Sequence, residues 1–165
     1  MVLKQKIEKA LNKQINAELW SAYLYLSMSA YFESINLSGF ANWMRVQAQE
    51  EVGHAMKFYT HVIERRGRVI VSAITAPPTT WKSPLNVFED AFKHEQKVTG
   101  VIHDIANMAA AEKDHATVSM LQWFIDEQVE EEASTDAIVQ KLKMIGTNTS
   151  GLYMLDRELA QRKKE

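Results

Sequence analysis

Apolar residues recur at helical spacing in four long runs along the chain. The apolar stripe of the first run is interrupted by an acid, Glu18, and that of the second run by Glu51. The stripes of the third and fourth runs contain Glu95 and Gln128. This pattern predicts four long helices, at about residues 5–34, 38–66, 84–111 and 115–145.

Local residue types indicate where two of these helices begin. Ser83 followed by Pro84 is typical of a helix start, because serine caps the first free N–H groups and proline fits the first helical position. Ser38 is predicted to cap the second helix in the same way. All three prolines of the chain lie within residues 77–84, so the other predicted helices contain no proline that would break them.

The connections indicate how the helices are arranged. A predicted extended crossover at about 67–83 spans up to ~56 Å, whereas a 28-residue helix is ~42 Å long. The second and third helices can therefore run parallel. A break at 146–151 precedes a short terminal helix at about 152–162. The predicted fold is all-α, with one domain over residues 1–165: a four-helix bundle of two hairpins joined by a long crossover, plus a short C-terminal helix.

Composition excludes several classes of function. The chain has 165 residues, 46% of them hydrophobic, and a net charge of −2, which argues against a protein built to coat nucleic acid. Without cysteine it can form no disulfide, thiolate zinc site or iron–sulfur cluster. No apolar stretch is long enough to cross a membrane, and the N-terminus lacks an apolar signal core, so we expect a cytoplasmic location.

The two predicted hairpins repeat each other. Glu18 and Glu51 are separated by 33 positions, as are Glu95 and Gln128. In each hairpin the two polar residues lie at similar distances from the turn, so all four are predicted to meet at one level near the middle of the bundle. His54 lies three residues after Glu51 and therefore shares its face of the helix.

Several carboxylates in an apolar core require compensation. They repel one another and are costly to desolvate unless they are protonated, paired or bound to cations, and no lysine or arginine falls on these inward positions. A pair of metal ions is the natural compensation, with Glu51 placed to bridge them. Oxygen ligands with a single imidazole suit iron or manganese better than copper.

These residues resemble the ferroxidase centre of the bacterial and archaeal non-haem ferritins. The segments 16–26 (NAELWSAYLYL) and 126–132 (DEQVEEE) are similar to the first and fourth helices of that family, and the likeness covers essentially the whole chain. The resemblance implies that Glu18, Glu51 and His54 hold a first iron. It implies that Glu51 and Glu95 hold a second iron, with Gln128 close by.

The resemblance also implies further roles. A third iron site would be formed by the acids Glu50, Glu127, Glu130 and Glu131. Tyr25 would donate an electron during oxygen reduction, although it can instead simply hydrogen-bond a ligand carboxylate. The family oxidises Fe(II) with O2 or H2O2, stores the ferric mineral and assembles as a homo-oligomeric shell of twenty-four chains. No haem is expected, because Val52 stands where bacterioferritin has its haem-ligating methionine.

Other interpretations of the same residues remain open. The bundle can be a soluble di-iron peroxidase or oxidase of the rubrerythrin type without mineral storage, although that family's electron-transfer module needs cysteine. It can also be a non-catalytic helical scaffold, which leaves the repeat unexplained. Apolar residues off the inner stripes predict an outer face buried against another subunit: Trp20, Leu24, Leu26 and Tyr31.

Overall fold

A computed structural model of the chain describes residues 2–163. This part of the chain forms five helices and no strand, which confirms the all-α prediction. The helices are α1 (Gln5–Ser34), α2 (Ser38–Glu64), α3 (Pro84–Ala111), α4 (His115–Ile145) and α5 (Thr149–Leu159). Helix α2 is two residues shorter than predicted, and α5 begins and ends three residues earlier than predicted.

The starts of α3 and α5 follow from local capping. The Ser83 hydroxyl accepts the backbone N–H of Asn86 at 3.1 Å, and Pro84 occupies the first helical position, as predicted. The prediction that α5 begins at residue 152 was wrong, because the Asn148 side chain accepts the N–H of Gly151 at 3.0 Å. This cap starts the helix before the glycine.

The predicted cap of α2 was also wrong. Ser38 is the first residue of α2, and neither it nor Leu37 caps the helix with its side chain. Instead, Asp156 of α5 accepts the N–H groups of Gly39 and Phe40 through its Oδ1, at 2.8 and 3.1 Å. A carboxylate from a distant part of the chain therefore satisfies the free donors at the start of α2.

Contacts between helices fix their directions. Leu3, just before α1, hydrogen-bonds Arg65, just after α2, and Ser29 near the end of α1 hydrogen-bonds Ala41 near the start of α2. The start of each helix therefore lies beside the end of the other, so α1 and α2 are antiparallel. The start of α1 meets the end of α3 through the Lys4–Glu112 ion pair, so α1 and α3 are antiparallel too. Helices α2 and α3 are consequently parallel, as predicted from the length of the crossover.

The crossover between α2 and α3 lies along α1. The Asn12 side chain accepts the N–H of Ile70 at 2.7 Å and donates to the carbonyl of Arg68 at 3.0 Å. The Ser27 hydroxyl donates to the carbonyl of Pro78 further along the helix. Side chains of α1 thus supply the hydrogen bonds that an extended segment cannot make internally.

The apolar core consists of two clusters at opposite halves of the bundle. One is built around Phe32, Phe40 and Phe88, and the other around Phe58 and Phe124. The buried polar layer lies between them. Leu24 belongs to the first cluster and is 5% exposed, so the prediction that it lies on an outer face was wrong; Trp20 and Tyr31 are partly buried, and Leu26 is exposed.

Docking of α5 depends on the absence of a side chain at Gly39. A Cβ there would lie 1.7 Å from the backbone carbonyl oxygen of Asp156. We expect Gly39→Ala to push α5 away, break the Asp156 cap and destabilise the protein by about 2 kcal/mol, measured by thermal or denaturant unfolding. Gly100→Ala is the matched control, because a Cβ at that helical position meets nothing and is expected to raise stability. Equal stability of the two variants would contradict the assigned role of Gly39.

Candidate metal centre

A layer of buried polar residues separates the two apolar clusters. All four helices of the bundle contribute to it, which places the predicted polar residues at one level. Its members are Gln14 and Glu18 from α1, Gln47, Glu51 and His54 from α2, Glu95 from α3, and Gln128 and Glu131 from α4. No lysine or arginine of residues 2–163 is as deeply buried as the members of this layer.

Three of these side chains form the tightest group. Glu18, Glu51 and His54 each offer a ligand atom, and these atoms lie within 4.8 Å of one another. The Nδ1 atom of His54 lies 3.4 Å from Oε2 of Glu51, across one turn of α2. All three residues are at most 5% exposed. Oxygen and imidazole donors at this spacing can surround a single cation.

Two glutamines hold the carboxylates of this group in place. Gln14 donates to Oε1 of Glu18 at 2.8 Å, and Gln47 donates to Oε1 of Glu51 at 2.9 Å. Neither glutamine was predicted from the sequence, although each lies four residues before its acid on the same helical face. Gln47 also donates to Glu131 at 2.8 Å and so connects α2 to α4. Each glutamine leaves the second oxygen of its carboxylate free of an amide donor, and Oε2 of Glu18 has no hydrogen-bond partner.

Glu95 lies beside this group but is held by different partners. Its carboxylate accepts hydrogen bonds from the Tyr25 hydroxyl and from Gln128, the latter at 3.2 Å. Among the histidines and acids of residues 2–163, Glu95 belongs to no group of three ligand atoms within 4.8 Å of one another. The structure therefore places Tyr25 as a hydrogen-bond donor to a buried carboxylate, which is one of the two roles predicted for it.

A second group shares His54 with the first. His54, Glu127 and Glu131 bring ligand atoms within 4.8 Å of one another. This group lies at the wall of a solvent-accessible cavity of about 550 Å³ between α2 and α4. Glu50 and Glu130, the other predicted members of a third iron site, line the same cavity but stand outside the close group.

Burial raises the pKa values of the carboxyl groups in this layer, because it disfavours their ionised forms. Desolvation, followed by repulsion from Glu51, raises the pKa of Glu18 well above its usual value. Desolvation and repulsion from Glu95 raise the pKa of Glu51 well above its usual value. The same two causes raise the pKa of Glu131 to about 7. Burial is also the main cause of the raised pKa of Glu95. A bound cation would compensate the charges of all four carboxylates.

The neighbouring histidine of Glu95 is structural. His94 lies against Trp20, with its Nε2 atom 2.7 Å from the Ser21 hydroxyl. Burial lowers its pKa to about 4, so the ring is neutral at physiological pH.

Comparison with known proteins identifies the family. A profile of the ferritin-like domain matches residues 8–145, which include α2, α3, α4 and all but the first three residues of α1. The chain belongs to the ferritin family. A bacterial non-heme ferritin of Bacteroides fragilis is 47% identical over 161 residues, covering 98% of this chain and the whole of the relative. A Staphylococcus saprophyticus bacterial non-heme ferritin is 39% identical over 98% of this chain and 96% of its own length.

Solved archaeal structures are also similar to this ferritin. An open pore ferritin from the hyperthermophilic archaeon Archaeoglobus fulgidus is 55% identical, with a TM-score of 0.97 over 98% of this chain and 99% of that one. An engineered closed form of the same archaeal ferritin gives a TM-score of 0.98 at 54% identity, over 99% of each chain. Membership of the family supports iron storage as the general function and a homo-oligomer as the general state. Within residues 2–163, no helix is long and apolar enough to span a bilayer.

The raised carboxyl pKa values predict how the stability of the metal-free ferritin depends on pH. The native state retains a proton on Glu131 that the unfolded chain releases above its usual pKa of 4.5. The native state therefore binds more protons than the unfolded state between pH 4.5 and about 7, and stability falls as the pH rises through this window. We expect the thermal midpoint of EDTA-treated protein to fall by several degrees from pH 5 to pH 7.5.

Two further measurements check this interpretation. Glu131→Gln removes one titrating group, so the dependence on pH should be shallower than in the unsubstituted protein. Adding Zn²⁺ at pH 7.5 should raise the midpoint, because a cation that binds only the native state stabilises it. A metal-free midpoint that rises between pH 5 and pH 7.5 would contradict the assignment.

Proposed function

We propose that this ferritin oxidises Fe(II) to Fe(III) in the cytoplasm and deposits the product as a ferric mineral inside an oligomeric shell. The observation that carries the proposal is the buried group of Glu18, Glu51 and His54, whose ligand atoms lie within 4.8 Å. Carboxylates prefer the harder Fe(III) ion, so such a group favours the oxidised product. Membership of the ferritin family supports the same function.

The proposed roles follow the positions of the side chains. Glu18, Glu51 and His54 hold the first Fe(II), and Glu51 bridges to a second Fe(II) held by Glu95 and Gln128. Two adjacent Fe(II) ions supply the two electrons that reduce one O2 to H2O2, or one H2O2 to water. The Tyr25 hydroxyl orients Glu95 through its hydrogen bond. We also propose that the Tyr25 phenol donates an electron during oxygen reduction.

The second group provides an exit toward the mineral. His54 is shared between the two groups, and Glu131 is tied to Glu51 through Gln47. An ion that leaves the first group therefore meets Glu127 and Glu131 at the wall of the open cavity. We place Glu50 and Glu130 further along this route, since both line the cavity.

An exposed apolar surface supports assembly. Tyr23 and Leu26 of α1, Val52 of α2 and Ile74 of the crossover are 41–51% exposed and surround a shallow cavity of about 450 Å³. Such a continuous apolar patch is unfavourable in water and is expected to be covered by a second copy of the chain. We propose the homo-oligomer to be the shell of twenty-four chains that the family resemblance implies.

The direct test is aerobic loading with excess Fe(II), followed by size-exclusion chromatography with iron and mass detection. We expect many iron atoms per chain to co-elute with a shell-sized particle. About two iron atoms per chain on a small oligomer would retain the di-iron site but overturn storage, in favour of a rubrerythrin-type oxidase. Retention of no iron would overturn both proposals and favour a helical scaffold.

Adjacent glutamates of α2 provide a matched test of the bridging role. Glu51→Gln removes an oxygen donor that only Glu51 can supply to both ions, so we expect the initial rate of Fe(II) oxidation to fall by about 100-fold or more. Glu50→Gln changes charge and size equally, but Glu50 lies outside the buried group, so most of the rate should remain. Stopped-flow absorbance of the ferric product measures both rates. Equal losses in the two variants would refute the bridging role.

A further inference from the structure

We propose that Arg162 is an internal counter-ion that holds Glu50 at the cavity and competes with cations for the second group, His54, Glu127 and Glu131. Arg162 follows α5, far along the chain from these ligands. The inference rests on the proposed function, because it concerns how iron leaves the buried centre. Arg162 is thus a positioning residue and not a catalytic one.

The contacts of Arg162 are specific. Its Nη2 atom donates to Oε2 of Glu50 at 2.5 Å, and both side chains are about four-fifths buried. Its guanidinium carbon lies 4.1 Å from the centre of the Trp43 ring, and Nη1 donates to the Trp43 carbonyl at 3.4 Å. A planar guanidinium that both stacks and hydrogen-bonds is held far more firmly than a solvated surface cation.

The fold brings this arginine to the cavity by a defined route. Asp156 fixes α5 against the start of α2, where Gly39 allows the close approach. One turn along α2, the Asn42 amide donates to the carbonyls of Leu159 and Arg162, at 3.3 and 3.0 Å. The residues after α5 are therefore tied to α2 on the side that leads to Glu50.

The charge of Arg162 acts on the second group. Arg162 lines the same cavity as Glu127 and Glu131, so its positive charge lies on the same cavity wall as the carboxylates of the second group. A cation that enters the second group is repelled by the guanidinium and attracted by the same carboxylates. The oxygen of Glu50 that accepts from Arg162 cannot bind a cation until the ion pair opens. Arg162 therefore lowers the affinity of the second group for cations, so a higher cation concentration is needed to fill it.

Lys163 offers a matched control within the chain. It lines the same cavity and carries the same charge, but its side chain is exposed, so solvent screens it. Replacing Arg162 or Lys163 by glutamine removes one positive charge from the cavity in either case. Only the change at Arg162 removes the ion pair with Glu50 and uncovers Trp43.

The test is Zn²⁺ binding to the full-length, EDTA-treated protein by titration calorimetry, with tryptophan fluorescence recorded in parallel. We expect a tight class of sites at the buried centre and a weaker class at the second group. Arg162→Gln should tighten the weaker class by about tenfold, while Lys163→Gln should change it by less than about threefold. Arg162→Lys keeps the charge and should leave the class close to its original affinity.

Fluorescence separates displacement from a general loss of structure. Filling of the weaker class should change the emission of Trp123, whose ring centre lies 5.5 Å from that of His54, in every variant. An additional change, as the guanidinium leaves Trp43, should occur in the unsubstituted protein and be missing in Arg162→Gln. Size-exclusion and thermal unfolding establish that each variant is folded and assembled. A merely structural role for Arg162 would lower stability without tightening zinc binding.

The outcomes distinguish the two proposals. Equal affinities of the weaker class in Arg162→Gln and Lys163→Gln would overturn the counter-ion role while leaving the ferroxidase centre intact. Loss of the weaker class in Arg162→Gln would show that Arg162 supports the group and does not compete with cations. Absence of the tight class in the unsubstituted protein would overturn the proposed function, and the inference with it.

Discussion

The burial of several carboxylates in the middle of an apolar bundle is the constraint on which the rest of this structure depends. Glu18, Glu51, Glu95 and Glu131 are each at most 5% exposed, and no lysine or arginine in residues 2–163 is as deeply buried beside them. In water-excluded surroundings such a set must take up protons or cations. The same four residues are therefore a cost to the metal-free protein and a source of stability once cations bind.

The surroundings of the layer explain how the carboxylates keep a defined geometry. Apolar clusters pack above and below, and each carboxylate receives a donor from a neutral side chain: Gln14, Gln47, Gln128 or Tyr25. Neutral donors orient an oxygen without removing the charge that attracts a cation, whereas a lysine would compete with the ion. Gln47 has a special position, because it donates to a carboxylate in each of the two groups.

Much of this arrangement could be predicted from sequence because the patterns that indicate it are local, each confined to a short part of the chain. Helical periodicity, the Ser83–Pro84 start and the 33-residue repeat each involve one helix or one hairpin, so they can be interpreted without tertiary contacts. The supporting glutamines also lie within one helix each, four residues before Glu18 and Glu51, but a neutral side chain at that spacing does not by itself indicate a ligand site, and neither was predicted. Ser38 was assigned as a cap because the true cap, Asp156, lies 117 positions from Gly39. No local pattern marks such a contact, nor the pairing of Arg162 with Glu50.

Two of the long-range contacts that sequence could not reveal, Asp156 with the start of α2 and Arg162 with Glu50, involve the C-terminal segment and give that segment a defined physical task. Helix α5 is too short to be stable alone, so its position is set entirely by what it docks against. It docks on the start of α2. The free N–H groups of Gly39 and Phe40 attract the Asp156 carboxylate, and the absence of a side chain at Gly39 leaves space for the Asp156 backbone. From that anchor the chain continues along α2 and brings Arg162 to the cavity beside the buried acidic layer. The positive charge of Arg162 attracts the carboxylates of Glu127 and Glu131, which are also the proposed ligands on the route by which iron leaves. The docking of α5 therefore determines the charge of the cavity, because it positions Arg162 there.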